Sequence, residues 1–184
     1  MSQMQSHTFA VYVEDRPGVL NRVASLCRRR GFNIESLTVG HTETPGVSRM
    51  TIVVETDRVG ARRIEANLAK LFNVLRVDDL TDAPSVYRDL VMIKVAADAQ
   101  ARAHLMQLVD VFRARIVDVA PASIVIEMTG TEDKIDGLLE VLRPYGVLEL
   151  VRTGRVAMVR GHVPSPSASA GPGDAEGDDA AQSV

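Results

Sequence analysis

One cysteine, no tryptophan and only 4% aromatic residues occur in a chain of 184 residues. The lone Cys27 rules out an internal disulfide framework, and carriage of a metal by paired thiols falls with it. Cys27 stands among Val23, Leu26 and other helix-spaced apolar residues and is read as core. So few aromatics leave no strand with the stacking residues that an RNA-binding sheet uses. Charge is not in excess either. The formal net charge of -3 comes from 21 basic and 24 acidic residues, so composition creates no broad field for a nucleic acid or an anionic membrane. No apolar run approaches the length of a membrane span, and the opening MSQMQSHTF has neither the basic nor the apolar region of a signal peptide. A soluble cytoplasmic protein is the expectation.

Catalytic groups are scarce as well. His7, His41, His104 and His162 stand far apart, without a second ligand at metal spacing, and are read as surface or loop residues. Asp78-Asp79 and Asp178-Asp179 are adjacent pairs, and neighbouring side chains on a strand point to opposite faces, which argues against joint acid and base work. Without a nucleophile and its base, or a metal cluster, the chain is read as a binding protein and not an enzyme.

Apolar residues are present in quantity, 46% of the chain, enough to build a core. Phe9, Val11 and Val13 alternate with Ala10, Tyr12 and Glu14 as in a half-buried strand. Val19, Leu20, Val23, Leu26 and Cys27 follow at helical spacing until Gly31, and Arg28-Arg29-Arg30 ends that helix with charge favourable to its dipole, on a solvated face. Residues 32–41 and 49–55 read as a hairpin around a turn at 42–46; a helix carrying Ile64, Leu68 and Leu71 and a strand over 74–80 complete the block. The order βαββαβ then recurs: a strand over 91–96, a helix with Leu105, Leu108 and Phe112, strands over 116–119 and 124–128, a helix with Ile135, Leu138 and Leu142, and a strand over 147–151.

The fold class is therefore α+β, two tandem ferredoxin-like domains. Residues 1–6 are expected to be flexible, 7–82 to form the first domain, 83–161 the second, and 162–184 a disordered tail rich in Pro, Gly and Ser. Each block alone has a small core and an open sheet face or edge, so pairing with a second copy is expected.

Arg16-Pro17-Gly18 opens the first helix. Proline suits the first turn because it has no N–H to leave unpaired. Glycine there costs up to about 1 kcal/mol relative to alanine unless the backbone needs a positive φ or a close approach. A small anionic ligand supplies a reason, since free N–H groups at a helix start hold a carboxylate. Glu14 and Asp15 from the turn and Asn33 from the incoming strand would then meet the ligand's ammonium group. Spacing alone leaves a second account open, in which Gly18 only relieves a tight β-to-α turn.

The stretch EDRPGVLNRVASLCRRRGFNIESLTVGHTETPGVSRMTIVV resembles the ACT domain of the small, regulatory subunit of acetolactate synthase, with RGFNIESLTVG and SRMTIVV its most specific parts. KLFNVLRVDDL, RDLVMIKV and the run from IVDVAPASIVIEMTG to RVAMVRG look like that family's second domain, so the resemblance covers about residues 7–161. It implies a noncatalytic subunit that binds and activates a thiamine-diphosphate-dependent catalytic subunit and confers feedback inhibition by valine. Thiamine diphosphate, magnesium and FAD would sit in that partner and none in this chain. The resemblance also implies a homodimer through ACT domains, with valine between them against Asp15, Gly18, Val19, Leu20, Asn33 and Ile34. Family members generally carry Asn where this chain has Asp15, and a carboxylate can only accept hydrogen bonds. The alternative is a stand-alone ACT-domain sensor of an amino acid that serves another enzyme or a transcription regulator.

Overall fold

The computed structural model describes residues 4–161. The expected tail, together with His162 and Asp178-Asp179, lies outside the described residues. Two βαββαβ units follow one another. The first runs β1 (Gln5–Glu14), α1 (Val19–Arg29), β2 (Ile34–His41), β3 (Val47–Thr56), α2 (Arg58–Leu68) and β4 (Val74–Asp79), with sheet order β2-β3-β1-β4. The second runs β5 (Ser85–Ala96), α3 (Ala99–Phe112), β6 (Arg115–Ala120), β7 (Ser123–Gly130), α4 (Glu132–Leu142) and β8 (Val147–Arg152), in the order β6-β7-β5-β8. A further strand, β9 (Val156–Val159), pairs with the start of β5. Gln5 and Ser6, expected to precede the first domain, already pair with Thr56 and Glu55.

Local chemistry explains most boundaries. The end of α1 is a Schellman motif: Phe32 N–H donates to Cys27 O at 3.0 Å and Gly31 N–H to Arg28 O at 3.2 Å, with Gly31 at φ 73°. Asp57 caps α2 by accepting from Gly60 N–H at 2.7 Å, and Asp98 caps α3 by accepting from Gln100 and Ala101. The second helix stops at Leu68, short of Leu71, which still packs on the first core from the following turn.

Each core lies between the inner face of its sheet and two helices. Phe9, Val11, Met50 and Ile52 meet Val23, Leu26, Ile64 and Leu68 in the first domain; Ile93 and Ile126 meet Leu105, Ile135, Leu138 and Leu142 in the second. His7 belongs to the first core's face and corrects its reading as a surface residue. It shares the parity of Phe9, is 3% exposed, and lies with Nδ1 3.2 Å from Thr81 Oγ1. Asp78 and Asp79 separate as expected: Asp78 pairs with Arg76 at 2.9 Å, while Asp79 accepts from Thr81 N–H at 2.9 Å.

The outer face of the first sheet is not a solvent face. Thr8, Ala10, Thr51 and Val53 are buried there. The ribbon of β9 and residues 85–88 covers this face, packing Ala157 against Ala10 and Leu80 with Tyr12, Tyr87 and Val159 around them. Small side chains at Ala10 and Ala157 let the two layers approach. Arg155 fastens the cover. Its N–H donates to Ser36 Oγ at 2.7 Å, its carbonyl accepts from Thr38 Oγ1 at 2.9 Å, and its guanidinium reaches Thr8 Oγ1 at 3.0 Å and Glu132 Oε2 at 2.8 Å. One residue thus ties β2 and β1 of the first domain to α4 of the second.

Candidate functional site

The turn from β1 into α1 is built on backbone hydrogen bonds and one buried amide. Arg16 N–H donates to Glu14 O at 2.9 Å, and Asp15 N–H donates to Gly46 O at 2.8 Å. Asn73, 6% exposed, holds both sides of the turn. Its carbonyl accepts from Glu14 N–H at 2.9 Å, its amide donates to Glu14 Oε2 at 2.8 Å, and its side-chain oxygen accepts from the Arg22 guanidinium. Sequence reasoning missed Asn73, which stands 51 residues beyond Arg22 with no local pattern to mark it.

Gly18 is the N-cap of α1 at φ 84°, a backbone conformation that glycine adopts without penalty. That answers why a glycine opens this helix. Among the described residues no side chain caps α1, and no acidic residue stands in its first turn, so the positive end of the helix keeps donors available. Space above Gly18 is open: a β-carbon there would meet nothing within 4 Å. Val19 is buried at 4%, its side chain serves the core and its N–H donates to Arg16 O at 3.4 Å, whereas Leu20 is 44% exposed beside it.

Asn33 and Ile34 are elsewhere. Asn33 donates to Glu35 Oε1 at 2.6 Å, and Ile34 packs partly against the first core. In register, Ile34 pairs with Val54 and Val54 with His7, whereas Glu14 pairs with Val47. Seven residues of β1 separate those levels, about 23 Å at the ordinary strand rise. Within one chain, therefore, Asn33 does not meet the same ligand as Glu14 and Asp15, contrary to the reading from spacing. The reason is topological: α1 carries the chain back to the opposite end of the sheet before β2 starts.

The far end of β2 returns to the turn instead. His41 pairs with Ser48, which pairs with Val13, and its Nδ1 lies 3.3 Å from Asp15 Oδ2. His41 is exposed, as its surface reading expects, and no sequence signal marks its contact with Asp15. Arg28, Arg29 and Arg30 are all exposed, as their solvated-face reading expects. Cys27 is buried at 2%, and burial pushes its thiol pKa up, which disfavours the reactive thiolate.

Among the described residues no group of three or more His, Cys, Asp and Glu is placed to hold a metal ion, and no helix is long and apolar enough to cross a membrane. A cleft of ≈ 580 Å³ opens between the domains, with Glu35, Glu55 and Asp89 beside Arg152 and Arg155. Its guanidiniums are already held, Arg152 by Asp89 and Asp136 and Arg155 by Glu132.

Comparison with known proteins agrees with this architecture domain by domain. Residues 9–76 match the model of the AHAS small subunit-like ACT domain, and residues 88–161 match that of the small subunit of acetolactate synthase. A probable acetolactate synthase small subunit of Archaeoglobus fulgidus is 53% identical over 156 residues, covering 85% of this chain and 98% of that protein. The acetolactate synthase small subunit of Mycobacterium bovis is 48% identical over 157 residues, covering 85% of this chain and 94% of its own. The crystal structure of the small subunit from Thermotoga maritima superposes with a TM-score of 0.80 at 40% identity, covering 86% of this chain and 99% of that one. Two family models in tandem, near-full-length relatives and a shared two-domain fold together show that this chain belongs to the acetolactate synthase small-subunit family, with an ACT domain first.

Proposed function

We propose that the chain is the noncatalytic, regulatory subunit of a cytoplasmic acetolactate synthase, that it pairs with a second copy along β2, and that valine binds where the copies meet. The observation that carries this reading is the split site, with Asp15 and Gly18 at one end of the first sheet and Asn33 and Ile34 at the other. β2 is an edge strand, paired only with β3 among the described residues. Its sheet's outer face is already covered, which favours pairing through an edge. Antiparallel pairing of two such edges about a twofold near Leu37 and Thr38 lays Ile34 of one copy opposite His41 of the other. His41 touches Asp15, so the twofold brings Asn33 and Ile34 of one copy to Asp15, Gly18 and Leu20 of the second. The α1 amides then take the carboxylate, and Leu20 and Ile34 take the isopropyl group.

In this reading the reaction belongs to the partner, the catalytic subunit, where pyruvate condenses with pyruvate or 2-oxobutyrate on the route to valine, leucine and isoleucine. Thiamine diphosphate, magnesium and FAD sit there. Valine shifts the paired assembly toward its less activating arrangement, and a coupling of about 1–3 kcal/mol is enough for strong feedback.

The test is reconstitution. The purified chain should raise acetolactate formation by its cognate catalytic subunit, and valine should lower it again. Gly18→Asp should keep the activation and weaken valine binding at least about tenfold, or 1.4 kcal/mol, because its carboxylate meets the ligand's at the helix start. Valine binding without any activation would favour the stand-alone sensor, and neither binding nor activation would sink the proposal.

A further inference from the structure

We infer that Phe72 and Leu75, on the β4 side of the first domain, anchor the contact with the catalytic subunit, and that the pocket they enter has an acidic rim. The inference rests on the regulatory-subunit reading above and gives that partner a place on this chain. After α2 the chain makes two tight turns, in which Leu71 N–H donates to Leu68 O at 3.0 Å and Val74 N–H donates to Leu71 O at 2.9 Å. Leu71 and Val74 pack on the first core, and Asn73 is buried at 6%. Phe72 is left pointing away from all three. At 85% it is the most exposed large apolar side chain among the described residues. It does not stand alone. Val13 pairs with Val74 and Tyr12 with Arg76, so the register skips Leu75, the extra residue of a bulge, which is 55% exposed. Bulges at a sheet edge re-aim side chains in this way.

Charge and position select the occupant. Residues 58–76 carry five basic side chains, Arg58, Arg62, Arg63, Lys70 and Arg76, against the single acidic Glu65, in a chain whose formal net charge is -3. A twofold contact between copies at Phe72 would turn the same basic residues toward one another, which disfavours a second copy. Residues 162–184 supply four acidic residues but no Leu, Ile, Met or aromatic side chain to cover a phenyl ring. A different protein with an apolar pocket and carboxylates around it fits both features, since a buried aromatic anchor supplies affinity and rim charges guide encounter. β4 is also the edge opposite β2, three strand spacings or roughly 14 Å across the sheet, so copies paired along β2 leave it open.

The same residues adjoin the effector turn. Asn73, next to Phe72 in the chain, accepts from Glu14 N–H at 2.9 Å, donates to Glu14 Oε2 at 2.8 Å and accepts from the Arg22 guanidinium. A partner seated on Phe72 therefore bears on the backbone that holds the start of α1. That is the placement required of a subunit whose activity an effector at this turn controls, because coupling needs a contact that differs between the two states.

Titration of the cognate catalytic subunit with the full chain, read as acetolactate formation and as complex formation by surface plasmon resonance, tests the surface. Phe72→Ser should raise the concentration needed for half-maximal activation at least about tenfold, with the thermal midpoint of the chain unchanged. Phe72→Leu should stay within about threefold of the unmodified chain, because an apolar anchor remains. Lys70→Glu should slow association, and by less in high salt. Val111→Ser, at a side chain 76% exposed on α3, serves as the control for surface hydrophobicity and should change nothing. Activation by Phe72→Ser at the unmodified concentration, an equal loss in Val111→Ser, or faster association of Lys70→Glu overturns the inference and leaves the regulatory role standing. A lower sedimentation coefficient of Phe72→Ser by itself marks the face as one between copies and overturns it too. Failure of the unmodified chain to bind the catalytic subunit overturns the regulatory-subunit reading, and this inference with it.

Discussion

Gly154→Ala is expected to destabilise the protein by about 2–3 kcal/mol and to lift residues 153–155 from the first sheet. A β-carbon at Gly154 would lie 2.5 Å from Ser36 Oγ and 3.1 Å from the backbone C and N of Leu37. The hydroxyl has nowhere cheap to go, because it accepts from Arg155 N–H at 2.7 Å. The Leu37 backbone is less able to retreat, since it lies midway along β2 and is paired with Ile52 of β3. The crossover must therefore move, and with it the carbonyl of Arg155 that Thr38 holds and the guanidinium that joins Thr8 to Glu132. Urea titration followed by far-UV circular dichroism measures the cost. Hydrogen exchange should show faster exchange along β9 and on β2. Adding Ser36→Ala removes one clash and leaves the Leu37 contact, so less than half of the loss should return. A midpoint equal to that of the unmodified chain would refute the close-approach account.

Arg152→Leu should cost about 2–4 kcal/mol, borne by the second domain. Asp89, at the end of the core part of β5, is 7% exposed and accepts on one oxygen from Arg152 Nε at 3.0 Å and Nη2 at 2.7 Å. Arg152 also reaches Asp136 on α4 at 3.0 Å. Removing the guanidinium leaves a buried carboxylate without its two charge-assisted bonds, which costs more than the net worth of the pair itself. The figure is set below that of a fully buried pair because the Arg152 side chain is 25% exposed. The double variant Asp89→Leu, Arg152→Leu separates these contributions. It should recover more than half of the loss, since no buried carboxylate is left unpaired and Asp136 is 56% exposed, and a double variant as unstable as Arg152→Leu would contradict the argument.

Much of the fold is legible in local pattern. Alternation of Phe9, Val11 and Val13, helical spacing from Val19 to Cys27, and Gly31 as the stop are short-range statements that the dihedral preferences and hydrogen bonds of neighbouring residues enforce. The tandem order of elements is legible for the same reason. β9 was not, because four residues beyond an apparently complete unit carry little periodicity, and their partner is the start of β5 some seventy residues earlier. Nor was the burial of Ala10, since a solvent-side reading of a strand presumes that nothing covers its second face.

The candidate site divides along the same line. Pro17-Gly18 announces an irregular helix start, and the structure gives Gly18 the positive φ that makes glycine apt there. The sequence by itself determined two βαββαβ domains, the resemblance to the small-subunit family and the turn at Gly18, because each is written in residues close together in the chain. The tertiary structure alone decided that Asn33 stands at the far end of the sheet from Asp15, that His41 stands beside it, and that Asn73 and Arg155 hold the pieces in place. Those relations depend on strand register and on contacts between distant segments, which side-chain spacing along the chain does not encode.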